Sequence, residues 1–316
     1  MTGTVLVVCE AAAAVSRLTG RTVTGTRRLS GAVTEAVLDG GDVVVAKRGH
    51  APGATAAEAA GLRWLAEPAA VPIPVVHGCD EHWLVLDRIG TGPPEGGTAG
   101  QPGRMRIDAE RTAEEPGHSR IDAGRTAEQL GRDLAALHAA GAPAFGSPPP
   151  DAPARAWIGL APMDTTPGPD WPEWYAEHRV RPYVRLARDR GTLTADEAGV
   201  FDRVRHRLPV LSGPPEPPAR LHGDLWNGNV LWTPRRAYLI DPAAHGGHRE
   251  TDLAMLHLFG CPRLDRVLGA YAEASPLSPG RRERIELHQL FPLLVHTVLF
   301  GRSYATRALS IAQSLS

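Results

Sequence analysis

One short stretch constrains this chain more than any other: "LHGDLWNGNVLW", residues 221–232. It sets a His, an Asp and two Asn around glycines, between apolar flanks. Turns select Gly, Asn and Asp, so the stretch is compatible with a plain turn between two strands. The alternative is a catalytic loop, because Asp224 and Asn229 are five positions apart. That interval places a carboxylate and an amide beside a reacting phosphate.

The residues that follow favour the catalytic loop. "NVLWTPRRAYLID" predicts a strand, a tight turn and a second strand that ends at Asp241. Such a hairpin brings Asn229 and Asp241 side by side, and hard oxygen ligands of this kind suit magnesium. In phosphoryl transfer the loop carboxylate, here Asp224, accepts the proton of the acceptor hydroxyl.

A lysine and a glutamate upstream complete the same set. Lys47 ends a short β-branched strand, and Glu58 lies on the next predicted helix, where a Glu can hold a phosphate-binding Lys. The preceding segment "RRLSGAVTEAV" has a single glycine rather than a glycine-rich pattern. We nevertheless expect Ser30, Gly31 and nearby backbone amides to cover the phosphates.

The order of predicted elements indicates an α+β protein. Val33–Leu38 and Val43–Ala46 flank Asp-Gly-Gly-Asp, which predicts a hairpin, and a helix from Thr55 and a buried strand from His82 follow. The first eighty or so residues therefore predict strands with one helix, and the later residues predict mainly amphipathic helices. We expect an N-terminal nucleotide-binding lobe over 1–86, a hinge and polar insert over 87–127, and a helical catalytic and substrate lobe over 128–316.

The polar segment after residue 90 contains an internal duplication. "RIDAERTAEEPG" begins at Arg106 and "RIDAGRTAEQLG" begins at Arg120. Two copies are too few for a solenoid, and extra length in a surface loop costs little. We expect a mobile surface insertion, because the segment is polar and has no apolar face. After it, "AEQLGRDLAALHAAG" has leucines at helical spacing and predicts a helix.

Composition excludes several classes of protein. The formal net charge of −1 over 316 residues gives no reason to expect nucleic acid or an anionic membrane as a partner. The three cysteines form no CxxC pair, which argues against a disulfide framework or a zinc site. No run reaches the roughly 18 apolar residues of a membrane span. These features favour a reducing, cytoplasmic setting.

Two segments together resemble a known family. "LHGDLWNGNVLW" and "LIDPAAHGGHRETDLAMLHLFG" are similar to the fructosamine kinases, also called ketosamine kinases, and Trp226 matches their form of the loop. That family belongs to the aminoglycoside phosphotransferase and choline kinase group, so the resemblance implies a two-lobe, protein-kinase-like fold. It extends from about Leu29 to the end of the chain. The duplicated insert and the glycine-poor phosphate loop depart from the family pattern.

The resemblance assigns roles to individual residues. Asp224 would be the catalytic base, Asn229 and Asp241 the Mg²⁺ ligands, Lys47 the group that binds the ATP phosphates, and Glu58 its partner.

Other roles lie outside this central set. Asp87, Arg88 and Ile89 would form the hinge that faces adenine through backbone groups. Asp252 would hydrogen-bond the backbone of the catalytic loop and orient it. We expect a structural task for His222, since the loop already has its carboxylate. The residues implied to lie on the acceptor side are Trp226, His248, Arg249 and Glu250.

The family phosphorylates a sugar hydroxyl of ketosamines, which are either small adducts of amines or glycated lysines of proteins. The phosphorylated adduct is unstable and falls off, so the resemblance implies a role in deglycation repair. Two alternatives remain. One is an aminoglycoside- or choline-type phosphotransferase, although the apolar stretch "LFPLLVHTVLFGRSY" lacks the carboxylates that a polycation needs. The other is a nucleotide-binding pseudokinase, against which the intact Lys, Asp, Asn and Asp set argues.

Overall fold

A five-stranded antiparallel sheet forms the first part of the chain, in the order β1-β2-β3-β5-β4. The computed structural model describes residues 2–90 and 119–316. Most of the predicted insert lies outside these residues, and so does the prediction that it is mobile. The strands are β1 (Val23–Arg28), β2 (Val33–Leu38), β3 (Val43–Arg48), β4 (Val76–Cys79) and β5 (Trp83–Asp87).

The predicted hairpin is confirmed as β2 and β3. Gly40 and Gly41 form its turn with φ of 89° and 93°, a left-handed backbone that glycine adopts without strain. Val33 pairs with Lys47 in the antiparallel register. The lysine therefore lies opposite the start of β2, next to the turn that precedes it.

An N-terminal helix, α1 (Thr2–Thr19), corrects the prediction of a single helix in this part. Its alanine-rich second half favours a helix through intrinsic propensity. Ala11, Ala14 and Val15 follow at helical spacing, and all three are buried. They pack against the face of the sheet that includes Ala36 and Val44. The second half of α1 thus covers one face of the sheet.

The helix predicted from Thr55 is confirmed as α2 (Ala54–Ala66), and it covers the opposite face of the sheet. Ala59 and Leu62 on this helix pack against Leu84 and Leu86 of β5. Alternate residues of β5 therefore contact different helices, as the two-residue period of a strand requires. This packing fixes α2 beside β3, the strand that bears Lys47.

The second part is mainly helical, in agreement with the predicted α+β class. A large apolar cluster joins four helices of this part, and a second cluster joins two others to the end of α2. Helix α3 begins at Ser119, so the second copy of the duplicated sequence forms its first turns. Over the residues described, no helix combines the length and apolar character that crossing a membrane requires. The helices are α3 (Ser119–Ala139), α4 (Trp171–Tyr175), α5 (Arg181–Asp189), α6 (Ala195–Leu211), α7 (Arg249–Leu258), α8 (Leu264–Ala274), α9 (Arg281–Phe300) and α10 (Arg302–Leu315).

Three short two-stranded sheets lie among these helices and position the loops between them. A π-helical turn, Ala176–Val180, joins α4 to α5, and a 3₁₀ turn, Asn227–Asn229, precedes β9. The paired strands are β6 (Ala156–Ile158) with β7 (Ala161–Met163), β8 (Ala219–Leu221) with β11 (His245–Gly247), and β9 (Val230–Trp232) with β10 (Ala237–Leu239).

Candidate active site

The loop between β8 and β9 holds Asp224 through Asn229. The Nδ2 of Asn229 donates to the backbone oxygen of Asp224 at 2.8 Å and to its Oδ2 at 3.0 Å. Gly223 has φ of 83°, and a Cβ there would lie 2.1 Å from the oxygen of Ala243. The five-residue spacing therefore closes a tight loop that requires glycine where it passes the neighbouring chain.

The hairpin β9–β10 brings Asp241 to the same place, as predicted. Ile240 N donates to Asn229 O at 3.0 Å, and Asn229 Nδ2 lies 3.4 Å from the backbone oxygen of Asp241. Asp241 adopts φ of 54°, a left-handed conformation that costs a non-glycine residue free energy. Such strain is retained where the side chain must point in one direction.

Lys47 joins the sheet to this loop. Its Nζ donates to Glu58 Oε2 at 2.8 Å and to Asp241 Oδ1 at 2.9 Å. Burial alone would lower the pKa of Lys47, but the two carboxylates outweigh it and raise the pKa above its ordinary value. Burial also raises the pKa of Glu58, to about 7, although Lys47 opposes the shift. The contact predicted between Lys47 and Glu58 is therefore present, with a second carboxylate added.

The electrostatics of Asp224 suit a proton acceptor. Burial raises its pKa to about 7, while the hydrogen bond from Asn229 opposes the shift and the charges of Asp241 and Asp252 add to it. A general base is most effective when its pKa lies near the working pH. The site therefore raises the basicity of this carboxylate into the useful range.

Asp252, on α7, holds the backbone of the catalytic loop from behind. Its carboxylate accepts hydrogen bonds from His222 N at 2.7 Å and Gly223 N at 2.9 Å. His138 Nε2 lies 3.2 Å from the same carboxylate, and only 1% of Asp252 is exposed. Burial would raise the pKa of Asp252, but the histidine and backbone donors outweigh it and lower the pKa. This geometry is the one expected of a residue that orients the loop.

The side chain of His222 is fully buried and bonded to backbone on both sides. Its Nε2 donates to Ile240 O at 2.9 Å, and its Nδ1 accepts from Asp224 N at 3.3 Å. Burial lowers the pKa of His222, which favours the neutral ring that this bonding requires. The contacts agree with the structural task expected from the sequence.

The predicted hinge lies at the end of β5. The carboxylate of Asp87 contacts His77 Nε2 at 2.8 Å and accepts from Val75 N at 3.2 Å. The Nε of Arg88 donates to Glu35 at 2.9 Å, and its Nη1 donates to the backbone oxygen of Ile89. These side chains tie the hinge to the sheet, and the contact of its backbone with adenine stays a prediction.

Ser30 and Gly31 lie in the turn between β1 and β2. Ser30 N donates to Val33 O at 3.1 Å, and Arg28 donates to the backbone oxygens of Ser30 and Gly31. Because Val33 pairs with Lys47, this turn lies next to the lysine. Its position agrees with a phosphate-covering role, which also stays a prediction.

A row of aromatic rings starts at the catalytic loop and was not recognised from the sequence. Trp226 meets Phe259 edge to face with ring centroids 6.1 Å apart, and Phe259 lies 4.9 Å from His296. His296 is 5.4 Å from Phe300 and 5.0 Å from Tyr304. The rings come from the catalytic loop, the residue that follows α7, and helices α9 and α10, which are distant in sequence, so no local motif marks them. They form an aromatic wall beside the catalytic loop.

Three residues expected on the acceptor side instead have partners within the protein. Glu250 is 2% exposed and accepts from Arg284 at 2.6 and 2.9 Å. Arg249 pairs with Glu216, and His248 is buried as the N-cap of α7. Their motif follows β11 directly, so its charged side chains close the start of α7.

One metal-ligating cluster lies close to these residues. Among the described residues His248, Glu250 and His288 bring ligand atoms within 4.8 Å of one another. Arg284, however, donates to both carboxylate oxygens of Glu250 and neutralises its charge, which disfavours a cation there. The pair Asn229 and Asp241 suits magnesium better. The Nδ2 of Asn229 is used within the loop, which leaves its Oδ1 for a ligand, and the Asp241 side chain is 44% exposed.

Comparison of the sequence with models of known protein families agrees with this arrangement of residues. The sequence model for fructosamine kinase matches residues 118–316, which is more than half of the chain. This chain belongs to the fructosamine kinase family. The match includes the catalytic loop, the β9–β10 hairpin and α7.

Individual relatives support the assignment to this family. A crystal structure titled "putative fructosamine-3-kinase", from Thermobifida fusca, has 43% sequence identity and a TM-score of 0.82, and the match covers 96% of this chain and 97% of that one. A "probable ketoamine kinase" of Thermus thermophilus is 30% identical over 80% of this chain and 79% of its own length. Another, from Klebsiella aerogenes, is 36% identical over 46% of this chain. The chain spans about half the length of that relative, 51%. The predicted protein-kinase-like, two-lobe fold is confirmed.

Proposed function

We propose that this chain is an ATP-dependent kinase that phosphorylates a sugar hydroxyl of ketosamines, as the names of its relatives indicate for them. The observation that carries this proposal is the convergence of Asp224, Asn229, Asp241 and Lys47 at one place in a family member. The phosphorylated adduct is chemically unstable, so the activity would serve deglycation repair.

The residues have separate tasks in this reaction. Asp224 accepts the proton of the sugar hydroxyl as that oxygen bonds to the γ-phosphorus, and the bond from the γ-phosphorus to the bridging oxygen breaks to release ADP. Asn229 holds the Asp224 carboxylate in one orientation. Lys47 neutralises charge on the phosphates, while Glu58 fixes its position. Asn229 and Asp241 would hold Mg²⁺, which neutralises phosphate charge when bound.

The aromatic wall favours a ketosamine over a polycationic acceptor. The amine of a ketosamine carries one positive charge, which the face of an aromatic ring attracts. An aminoglycoside needs several carboxylates, whereas the side chains that form this wall are aromatic rings and carry none. Retention of the whole catalytic set argues against a pseudokinase. We place the activity in the cytoplasm, where ATP is abundant and the three cysteines remain reduced.

The test measures ADP release by the purified chain with ATP and Mg²⁺ against ribulosamine, fructosamine, aminoglycoside and choline acceptors. We expect turnover with a ketosamine and its loss in Asp224→Asn and in Asp241→Asn, while both variants keep the native melting temperature within a few degrees. A free adduct and a glycated protein, offered side by side, distinguish the two acceptor forms. Turnover retained in either variant would contradict the assigned roles.

A further inference from the structure

The hairpin β6–β7 belongs to the helical part but reaches the part that contains Lys47. Ile158, Ala161 and Met163 are buried in the large apolar cluster of the helical part. Tyr183 Oη donates to Pro162 O at 2.8 Å. One face of the hairpin is therefore held by the helical part.

Trp157 lies on the other face of β6 and contacts the sheet part. Its ring meets that of His50 edge to face, with centroids 5.0 Å apart and planes at 84°. His50 lies in the loop between β3 and α2, three residues after Lys47. Pro153, just before β6, lies close to Gly53, since a Cβ on that glycine would be 3.8 Å from the proline ring. The hairpin and the segment before it thus contact the β3–α2 loop at two residues, His50 and Gly53.

The far end of α2 is held by different residues of the helical part. A Cβ on Gly61 would lie 3.3 Å from atoms of Pro242 and Ala244. The guanidinium of Arg220 lies 4.5 Å from the ring centroid of Trp64. Glu58 is located between these two attachments, so its position relative to the catalytic loop depends on both.

We propose that Trp157 is a positioning residue that acts through His50 to brace the β3–α2 loop and hold Lys47 and Glu58 in place for the nucleotide. This inference rests on the proposed kinase function. His50 and Trp157 are 107 residues apart in sequence, and the contact of their rings supports the loop that leads into α2. The contact of Arg220 with Trp64 supports the other end of α2.

The indole nitrogen shows how the ring is held. Trp157 Nε1 is buried and has no hydrogen-bond partner among the described residues. A buried donor without a partner costs free energy, so within the described part of the chain the packing of the ring holds this side chain. A phenylalanine at this position should therefore keep the brace and remove an unsatisfied group, whereas an alanine should lose the brace.

The experiment compares Trp157→Ala, Trp157→Phe, His50→Ala and the alanine double variant in the full chain. Leu160→Ala is the matched control, because Leu160 lies at the exposed tip of the same hairpin. We expect Trp157→Ala and His50→Ala each to raise the KM for MgATP about 3- to 10-fold, from the strength of an aromatic pair. The KM for the ketosamine should stay unchanged, the double variant should be no worse than either single one, and Trp157→Phe and Leu160→Ala should behave as wild type.

Amide hydrogen exchange of residues 49–53 without any ligand separates this inference from the kinase assignment. We expect faster exchange in Trp157→Ala and His50→Ala and wild-type exchange in Trp157→Phe. If the wild type turned over no acceptor, these amides would still report on the brace. Unchanged exchange and KM in Trp157→Ala, additive effects in the double variant, or failure of Trp157→Phe to restore the wild-type values would overturn the proposal.

Discussion

Replacing Asp252 by asparagine tests whether the catalytic loop is held from behind. The carboxylate of Asp252 accepts from His222 N and Gly223 N, and it is buried. Asparagine has the same shape but offers one oxygen and one NH₂ group in place of two oxygens. One of the two backbone donors would therefore face another donor.

The magnitude follows from these contacts. Each hydrogen bond to a buried charged group contributes about 1.5–3 kcal/mol, and a stranded backbone donor adds its own desolvation penalty. We expect Asp252→Asn to lower the free energy of unfolding by about 3–5 kcal/mol, a large part of the roughly 5–15 kcal/mol of a typical domain. Because Asp224 directly follows the two affected residues, turnover should fall about 100-fold or more through misplacement of the base.

Urea denaturation and ADP release at a temperature where the variant remains folded would measure the two effects separately. Asp202→Asn on α6 is the matched control, since that carboxylate is exposed and pairs only locally with Arg205. It should change stability by less than about 0.5 kcal/mol and leave turnover intact. If Asp252→Asn retained both native stability and native turnover, the loop would not depend on this carboxylate.

Three further substitutions probe other parts of the structure. Lys47→Met should reduce kcat/KM for MgATP about 100-fold or more, because the site loses the ammonium near the phosphates; steady-state kinetics with varied ATP checks this. Burial lowers the pKa of His245 to about 3, so only the unfolded chain takes up its proton as the pH falls below about 6.5. Stability should therefore be complete above pH 6.5 and fall toward pH 3, and His245→Asn should lose less stability between pH 7 and 5 in urea titrations. Arg284→Met should cost about 3–5 kcal/mol by stranding the buried carboxylate of Glu250, and Arg284→Met combined with Glu250→Gln should recover part of that loss in the same denaturation assay.

The sequence predicted the parts of the site whose signals are local. The Asp-to-Asn interval, the turn of the β2–β3 hairpin and the strand ending at Asp241 each depend on a few neighbouring residues. Helix α1 was missed because a β-branched run precedes its alanines, and only packing on the sheet decides between strand and helix there. The aromatic wall and the contact of Trp157 with His50 join distant elements, which one sequence cannot pair.

The acceptor-side assignment of His248, Arg249 and Glu250 stays a prediction, because the side chains of these residues have partners within the protein. A charged motif near a catalytic loop resembles a binding surface, yet Glu250 and Arg249 have their partners on α9 and in the loop before β8. Sequence proximity to the loop places these residues close to it but does not orient them toward the substrate. For Asp252 the resemblance to the family implied the orientation, and its carboxylate accepts from the backbone of the catalytic loop as that resemblance implies.

The charges at the site indicate that this arrangement serves catalysis and does not stabilise the fold. Glu58 and Asp241 contact one ammonium, that of Lys47, whose charge also lowers the pKa of Asp224. The charge of Asp241 raises the pKa of both Asp224 and Glu58. Asp241 also carries a left-handed backbone. Like charges in a buried site and a strained residue both oppose folding, and a fold optimised for stability alone would replace them. A cation such as Mg²⁺ bound beside the phosphates would offset this negative charge, which is the chemistry proposed for this loop.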